Sequence, residues 1–306
     1  MIPRREFLGS IPLSAIAIST AASAAEKTPK IPAGNETPAN AATIICSPPV
    51  VQHPTSGGFT VVWLVNQLAT GWVEWGWSDD KIDQIARASH HGLIDAADDV
   101  LAVSVVLPKD APGKTIYYRL VVQPIIYQGA YKLERGEVEE FSLFYSTKLP
   151  DPQDSQSQLV VINDTHENRE TIAALSKRIS ELAPPLLLWN GDTCNDFDAK
   201  DSPATILLNP GGDGTRFGAD WAAARPLLFV PGNHDVRGAR ARELQRSMRP
   251  WNDSAQPYNF ALRHGPLAIV SLDTGEDKPD AHPVFAGTAA YEPYRAAQAA
   301  WLREVV

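Results

Sequence analysis

Asn163-Asp164-Thr165-His166 closes the apolar run at residues 159–162, and it is the first of four such junctions. The run 186–189 leads into Asp192, 227–230 into Asn233, and 267–270 into Asp273. Each run is short, continuous and rich in Leu, Ile and Val, the pattern of a strand buried on both faces. Acidic, amide and imidazole groups are thus delivered one after another where strands end, which is where α/β sheets place their sites. Oxygen and nitrogen donors gathered from sequence-distant strand ends are the raw material of a metal site.

Between the first two runs, Ile172, Leu175, Ile179 and Leu182 keep helical spacing, and Pro184-Pro185 ends the segment. Strand, helix, strand implies a parallel pair joined by a crossover. Upstream the character differs. Residues 59–65, 71–77, 100–107, 115–122 and 138–146 are β-branched and aromatic, and Ser56-Gly57-Gly58 and Pro112-Gly113 mark turns among them. In 71–77, Trp72, Glu74 and Gly76 share one face and Val73, Trp75 and Trp77 the other. A β-sandwich over 43–147 is expected, then a polar, proline-punctuated linker over 148–158 and a second domain over 159–306.

At 306 residues the chain has room for two domains, each with its own core. The hydrophobic fraction of 44% and charged fraction of 21% suit a globular protein. The formal net charge of −9 argues against a nucleic-acid surface, while leaving room for a small phosphorylated substrate held by a local metal charge. The two cysteines, Cys46 and Cys194, are too few for a disulfide framework and read as separate thiols. No stretch is long and apolar enough to span a bilayer. Residues 1–24 read as an export signal. Arg4-Arg5-Glu6-Phe7-Leu8 resembles a twin-arginine motif, and Ala22-Ser23-Ala24 offers a small-residue cleavage pattern. Pro3 and Gly9 depart from that motif. Residues 25–42 read as a linker, and the mature protein is expected in the periplasm or outside the cell.

Asp164-Thr165-His166, Gly191-Asp192 and Gly232-Asn233-His234-Asp235, in that order at strand ends, resemble the calcineurin-like metallophosphoesterase family. Val61-Val62-Trp63, Val73-Glu74-Trp75-Gly76 and 112–119 are similar to the fibronectin type III-like domain that precedes the catalytic domain of purple acid phosphatases. The fold this implies is an all-β sandwich domain followed by an α/β (α+β) metallophosphoesterase sandwich, the latter incomplete.

By the family's pattern, Asp164 and His166 would bind a first ion, Asp192 would bridge to a second, and Asn233 would bind the second ion. His234 would stand beside the leaving-group oxygen, with Asp235 holding its imidazole. The cofactors implied are two divalent or trivalent ions of Fe, Mn, Zn or Co, with a metal-held hydroxide attacking phosphorus. Carboxylate with imidazole does favour such ions over soft-metal chemistry, and ions ~3.5–4 Å apart need a carboxylate able to bridge them. Asn195 stands where purple enzymes carry their chromophoric tyrosine. No purple chromophore is therefore expected, and Asn195 becomes a candidate substrate contact. Asp196 and Asp273 read as structural.

The family adds three further histidines, two of them in a Gly-His-x-His turn. After His234 this sequence holds only His264 and His282, neither in such a motif. The expectation is a fragment of a longer enzyme, weak in metal binding, poorly soluble and itself inactive. Two alternatives stand beside it: a non-catalytic binding module on a degenerate phosphoesterase scaffold, and a secreted nucleotidase or cyclic-nucleotide diesterase.

Overall fold

The computed structural model describes residues 44–137, 140–198, 203–210, 221–251 and 256–306. The export signal and first linker lie outside the described residues, as do 199–202 and 211–220 of the long polar insert. The N-terminal part is built from β1 (Val50–Thr55), β2 (Gly58–Leu64), β3 (Ala69–Gly76), β4 (Gln84–Arg87), β5 (Ser89–His90), β6 (Leu93–Ile94), β7 (Ala96–Ala97), β8 (Val100–Val106), β9 (Thr115–Gly129), β10 (Lys132–Arg135), β11 (Glu140–Phe141) and β12 (Tyr145–Lys148). The C-terminal part holds β13 (Leu159–Ile162), β14 (Leu186–Asn190), β15 (Leu227–Val230), β16 (Phe260–His264) and β17 (Leu267–Ser271). Its longer helices span Arg169–Leu182 and Tyr291–Val305.

One sheet runs through both parts. Its order is β13-β14-β15-β1-β2-β8, with β13, β14 and β15 parallel and β1 joined to β15 in parallel through Gln52 opposite Leu227. Side chains alternate across β1, β2 and β8, and the alternation divides them between two cores. Val51, Val61, Trp63, Leu101 and Val103 enter the sandwich core against β3 and β9. Val50, Val62, Leu64 and Val100 enter the other, against Leu187, Trp189, Phe229 and Ile179. All seven residues of β2 are buried for this reason. At about 1.5–3 kcal/mol for each large buried apolar side chain, this shared wall is a main source of cohesion between the two parts. The two large cores share the partition formed by β1, β2 and β8.

Hydrogen bonds reinforce the junction. The Val51 N–H donates to the Ala222 carbonyl at 2.9 Å, and the buried Tyr118 hydroxyl donates to the Ala223 carbonyl at 2.7 Å. Gln52 Nε2 donates to the Ser247 carbonyl at 2.8 Å, and its Oε1 accepts from the Arg249 N–H at 2.9 Å. The linker is pinned as well. The Asp151 N–H donates to Nδ1 of buried His264 at 3.2 Å.

The helix Arg169–Leu182 begins two residues earlier than its apolar spacing suggests, because Asn168 caps it by accepting from the Thr171 N–H. It presents Ile172 and Ile179 to the sheet and ends at Ala183, in the left-handed region before Pro184. Two of the four apolar runs are not strands buried on both faces. β13 is an edge strand with Val161 half exposed. β17 lies outside the parallel sheet and, among the described residues, pairs with β16 alone, antiparallel, the hairpin covering Leu186 and Leu228 on the opposite sheet face. Apolar composition alone does not distinguish a central strand from an edge strand or a hairpin arm.

Candidate metal centre

The C-terminal ends of β13, β14 and β15 lie side by side, so the loops that follow them meet. Their backbones are laced together. The Asp164, His166 and Glu167 N–H groups donate to the carbonyls of Gly191, Asp192 and Thr193 at 3.2, 3.1 and 2.9 Å. This lacing holds Asp164, His166, Glu167 and Asp192 at positive φ (52°, 44°, 56° and 50°), a conformation that costs non-glycine residues roughly 1–3 kcal/mol each and clusters at functional sites. Two glycines make the approach of the loops possible. A Cβ on Gly191 would meet the Gly232 nitrogen at 2.5 Å, and one on Gly232 would meet Asp192 Oδ1 at 2.3 Å.

The side chains converge above this base. Ligand atoms of His166, Asp192 and His234 lie within 4.8 Å of one another, and the Asn233 amide nitrogen, in its hydrogen-bonding orientation, lies 3.3 Å from both Asp192 oxygens. Asp164 Oδ1 is 4.0 Å from His166 Nε2. The two imidazoles are oriented alike by successive carbonyls. His166 Nδ1 meets the Cys194 carbonyl at 3.1 Å, and His234 Nδ1 meets that of Asn195 at 2.7 Å. With Nδ1–H donating in each, both Nε2 lone pairs are left for the site. Donors around one ion at ~2.0–2.2 Å stand no more than roughly 4.4 Å apart, so side-chain shifts of a few tenths of an ångström would close His166 and Asp192 on a cation, with His234 beside it. The donor chemistry, imidazole with carboxylate and amide oxygen, fits Mn, Fe, Zn or Co.

The residues expected from the sequence, Asp164, His166, Asp192, Asn233 and His234, are all brought together. Asp235 takes a different part from the one the resemblance implies. It is fully buried, and among the described residues its hydrogen bonds go to Thr193, Cys194 and Gly232, not to the His234 ring. Its Oδ1 accepts from the Thr193 N–H at 3.0 Å, from the Thr193 hydroxyl and from the Cys194 thiol, and its Oδ2 from the Gly232 N–H at 2.8 Å. The strand-end turns wrap around this carboxylate, and His234 Nδ1 is already taken by the Asn195 carbonyl. Burial pushes the Asp235 carboxyl above its ordinary range, partly offset by those donors. Asn195 is exposed and contributes its carbonyl. Asp273 is buried, accepting from the Tyr294 hydroxyl at 2.7 Å and the Gly275 N–H at 2.9 Å. Cys46 and Cys194 are both free thiols.

Two participants carry no sequence signal. Arg237 Nη1 lies 3.1 Å from His234 Nε2, and Arg237 Nε and Nη2 both donate to buried Glu276 at 2.8 Å. A cleft of about 930 Å³ opens beside them, bounded in part by Asn195, Arg242, Phe285, Tyr291 and Tyr294.

Residues 157–288 match the family model of calcineurin-like phosphoesterases. No curated protein matches the sequence. Among solved structures, the chain is similar to PhoD, at 13% identity and a TM-score of 0.51, covering 78% of this chain and 54% of that one. It is also similar to the purple acid phosphatase PPD1 from seeds of yellow lupin (Lupinus luteus), at 14% identity and a TM-score of 0.48, covering 79% and 48%. The likeness to PhoD is one of fold, and the chain spans about half the length of each of these structures.

Proposed function

We propose, from the premise that this chain carries a calcineurin-like phosphoesterase domain over residues 157–288, that it takes part in metal-dependent hydrolysis of phosphate monoesters or diesters. The observation that carries this reading is the convergence of His166, Asp192 and His234 within 4.8 Å, with Asn233 against Asp192. Asp164, His166, Asp192 and Asn233 would hold two metal ions, Asp192 being the carboxylate central enough to serve both. Bound ions would supply Lewis acidity toward a phosphoryl oxygen and a water nucleophile at neutral pH.

The chain's own residues do the rest. The carbonyls of Cys194 and Asn195 fix the ring orientation of His166 and His234. His234 presents Nε2 to the site, where as imidazolium it would donate to the departing oxygen. Asp235 keeps the turns carrying Asp192 and Asn233 at a fixed separation. The same reading places the mature protein outside the cytoplasm, supported by Arg4-Arg5 and the Ala22-Ser23-Ala24 pattern.

The test measures bound Mn, Zn and Fe in purified protein, together with hydrolysis of p-nitrophenyl phosphate and bis-p-nitrophenyl phosphate. Asp192→Asn is expected to lower metal affinity by more than about a hundredfold and to abolish hydrolysis of either ester. Hydrolysis that survives in Asp192→Asn, or in the presence of a chelator, defeats the proposal.

A further inference from the structure

We infer that Arg237 binds the phosphoryl group of the substrate, an inference that rests on the phosphoesterase reading above. The argument is a count of donors. A guanidinium has five N–H groups in a rigid fork and no acceptor. The Nε–H and one Nη2–H go to the two Glu276 oxygens, both at 2.8 Å. In the metal-free protein the other Nη2–H has an acceptor in the Asn233 amide oxygen at 2.6 Å, in an amide orientation that metal binding through that oxygen would reverse, and Asp277 Oδ1 lies 3.6 Å from the same nitrogen. Nη1 is left facing the site, 3.1 Å from His234 Nε2. His234 Nδ1, the other ring atom within reach of Nη1, already meets the Asn195 carbonyl. Among the described residues, at least one Nη1–H is therefore without a stronger acceptor.

The arm is held in place. Glu276 is buried, and its carboxylate accepts from both sides of the fork, so the guanidinium plane is set before any ligand arrives. Lys278 Nζ lies 3.3 Å from Glu276 Oε1, the oxygen that also accepts from Arg237 Nη2, and Asp277 Oδ1 lies 3.6 Å from Nη2 and 2.6 Å from Lys278 Nζ. The two carboxylates therefore gather on the Nε and Nη2 side of the guanidinium and leave Nη1 toward His234. Asp164 and Asp192 would be taken up in holding the metal ions, and a phosphoryl oxyanion entering beside His234 would meet Arg237 as a further, directional cation. Arg237 is the cation that touches both His234 and Asn233. Its planar fork is suited to an oxyanion, where a lysine would offer only a point charge. In the free protein Nη1 rests on the imidazole nitrogen beside which the leaving oxygen would stand. A phosphoryl oxygen is a far better acceptor there.

The test uses the Mn²⁺-loaded protein with inorganic phosphate as the probe, both affinities being read by titration calorimetry. Arg237→Met is expected to weaken phosphate binding about ten- to a hundredfold, the loss of a charge-assisted hydrogen bond, while Mn²⁺ affinity changes less than about threefold. Arg237→Lys keeps a positive charge opposite Glu276 and so preserves the fold. It is expected to melt with the wild type yet bind phosphate with intermediate affinity. Wild-type phosphate affinity in both variants overturns the inference, as does a phosphate loss that merely tracks a loss of Mn²⁺ affinity. A wild-type protein that binds Mn²⁺ but no inorganic phosphate tells against the phosphoesterase reading, and with it this inference. Phosphate binding by the Mn²⁺-loaded wild type with unaltered affinity in the variants overturns the inference alone.

Discussion

Replacing Asp235 by Asn separates two accounts of that residue. The carboxylate sits fully buried at the meeting of two strand-end turns, with Thr193 N, Thr193 Oγ1 and Cys194 Sγ on one oxygen and Gly232 N on the other. An amide of the same shape must set its NH₂ against one of these groups of donors. The cheaper choice faces Gly232, leaving Oδ1 and its three partners intact. One hydrogen bond to a charged acceptor is then lost, roughly 1.5–3 kcal/mol, and the Gly232 N–H is left without a partner. Relief from burying a carboxylate, the cause of its raised pKa, offsets part of the loss. A net destabilisation of about 2–3 kcal/mol is expected. The loosened Gly232 turn should also weaken Mn²⁺ binding, because Asp192 Oδ1 accepts from the His234 N–H in the same turn. Guanidinium unfolding followed by tryptophan fluorescence, with calorimetric Mn²⁺ titration, measures both. If Asp235 served only to orient the His234 ring, stability would stay within about 0.5 kcal/mol of wild type and only hydrolysis would fall. That result would refute the structural account.

Tyr118→Phe removes the hydroxyl that reaches across to the Ala223 carbonyl. It should cost about 1–2 kcal/mol by leaving that acceptor unpaired, and an unchanged unfolding midpoint would argue against the packed junction. Glu276→Gln probes a carboxyl held well below its ordinary range, chiefly by the Arg237 guanidinium. A depressed pKa means that the stability it contributes is complete above the unfolded value near 4.5 and is lost as pH falls below it. The wild-type advantage over Glu276→Gln should therefore be constant from neutral pH down to about 5 and shrink under further acidification. A difference that grows on acidification has the wrong sign.

Much of the site was legible because its chemistry is local. Asp164, His166, Asp192, Asn233 and His234 each follow an apolar run within a few residues, and three such runs become adjacent parallel strands. Once the strands pair, their ends coincide. The role of Asp235 was not legible, because a carboxylate next to a histidine in sequence says nothing about which donors fold around it. Arg237 and Glu276 lie 39 residues apart, and no spacing rule links them.

Residue patterning by itself indicated a β-rich first part and a parallel strand pair with a helical crossover in the second, since these follow from short-range periodicity, and the family resemblance singled out the candidate donors. Only tertiary structure decided that β1 would lie against β15 and make two cores share one wall. Only it decided that β17 would leave the parallel sheet, and which buried acid would hold the turns. Those outcomes depend on which surfaces find each other in three dimensions. An apolar strand carries no mark of its neighbour, and a carboxylate none of the donors it will meet.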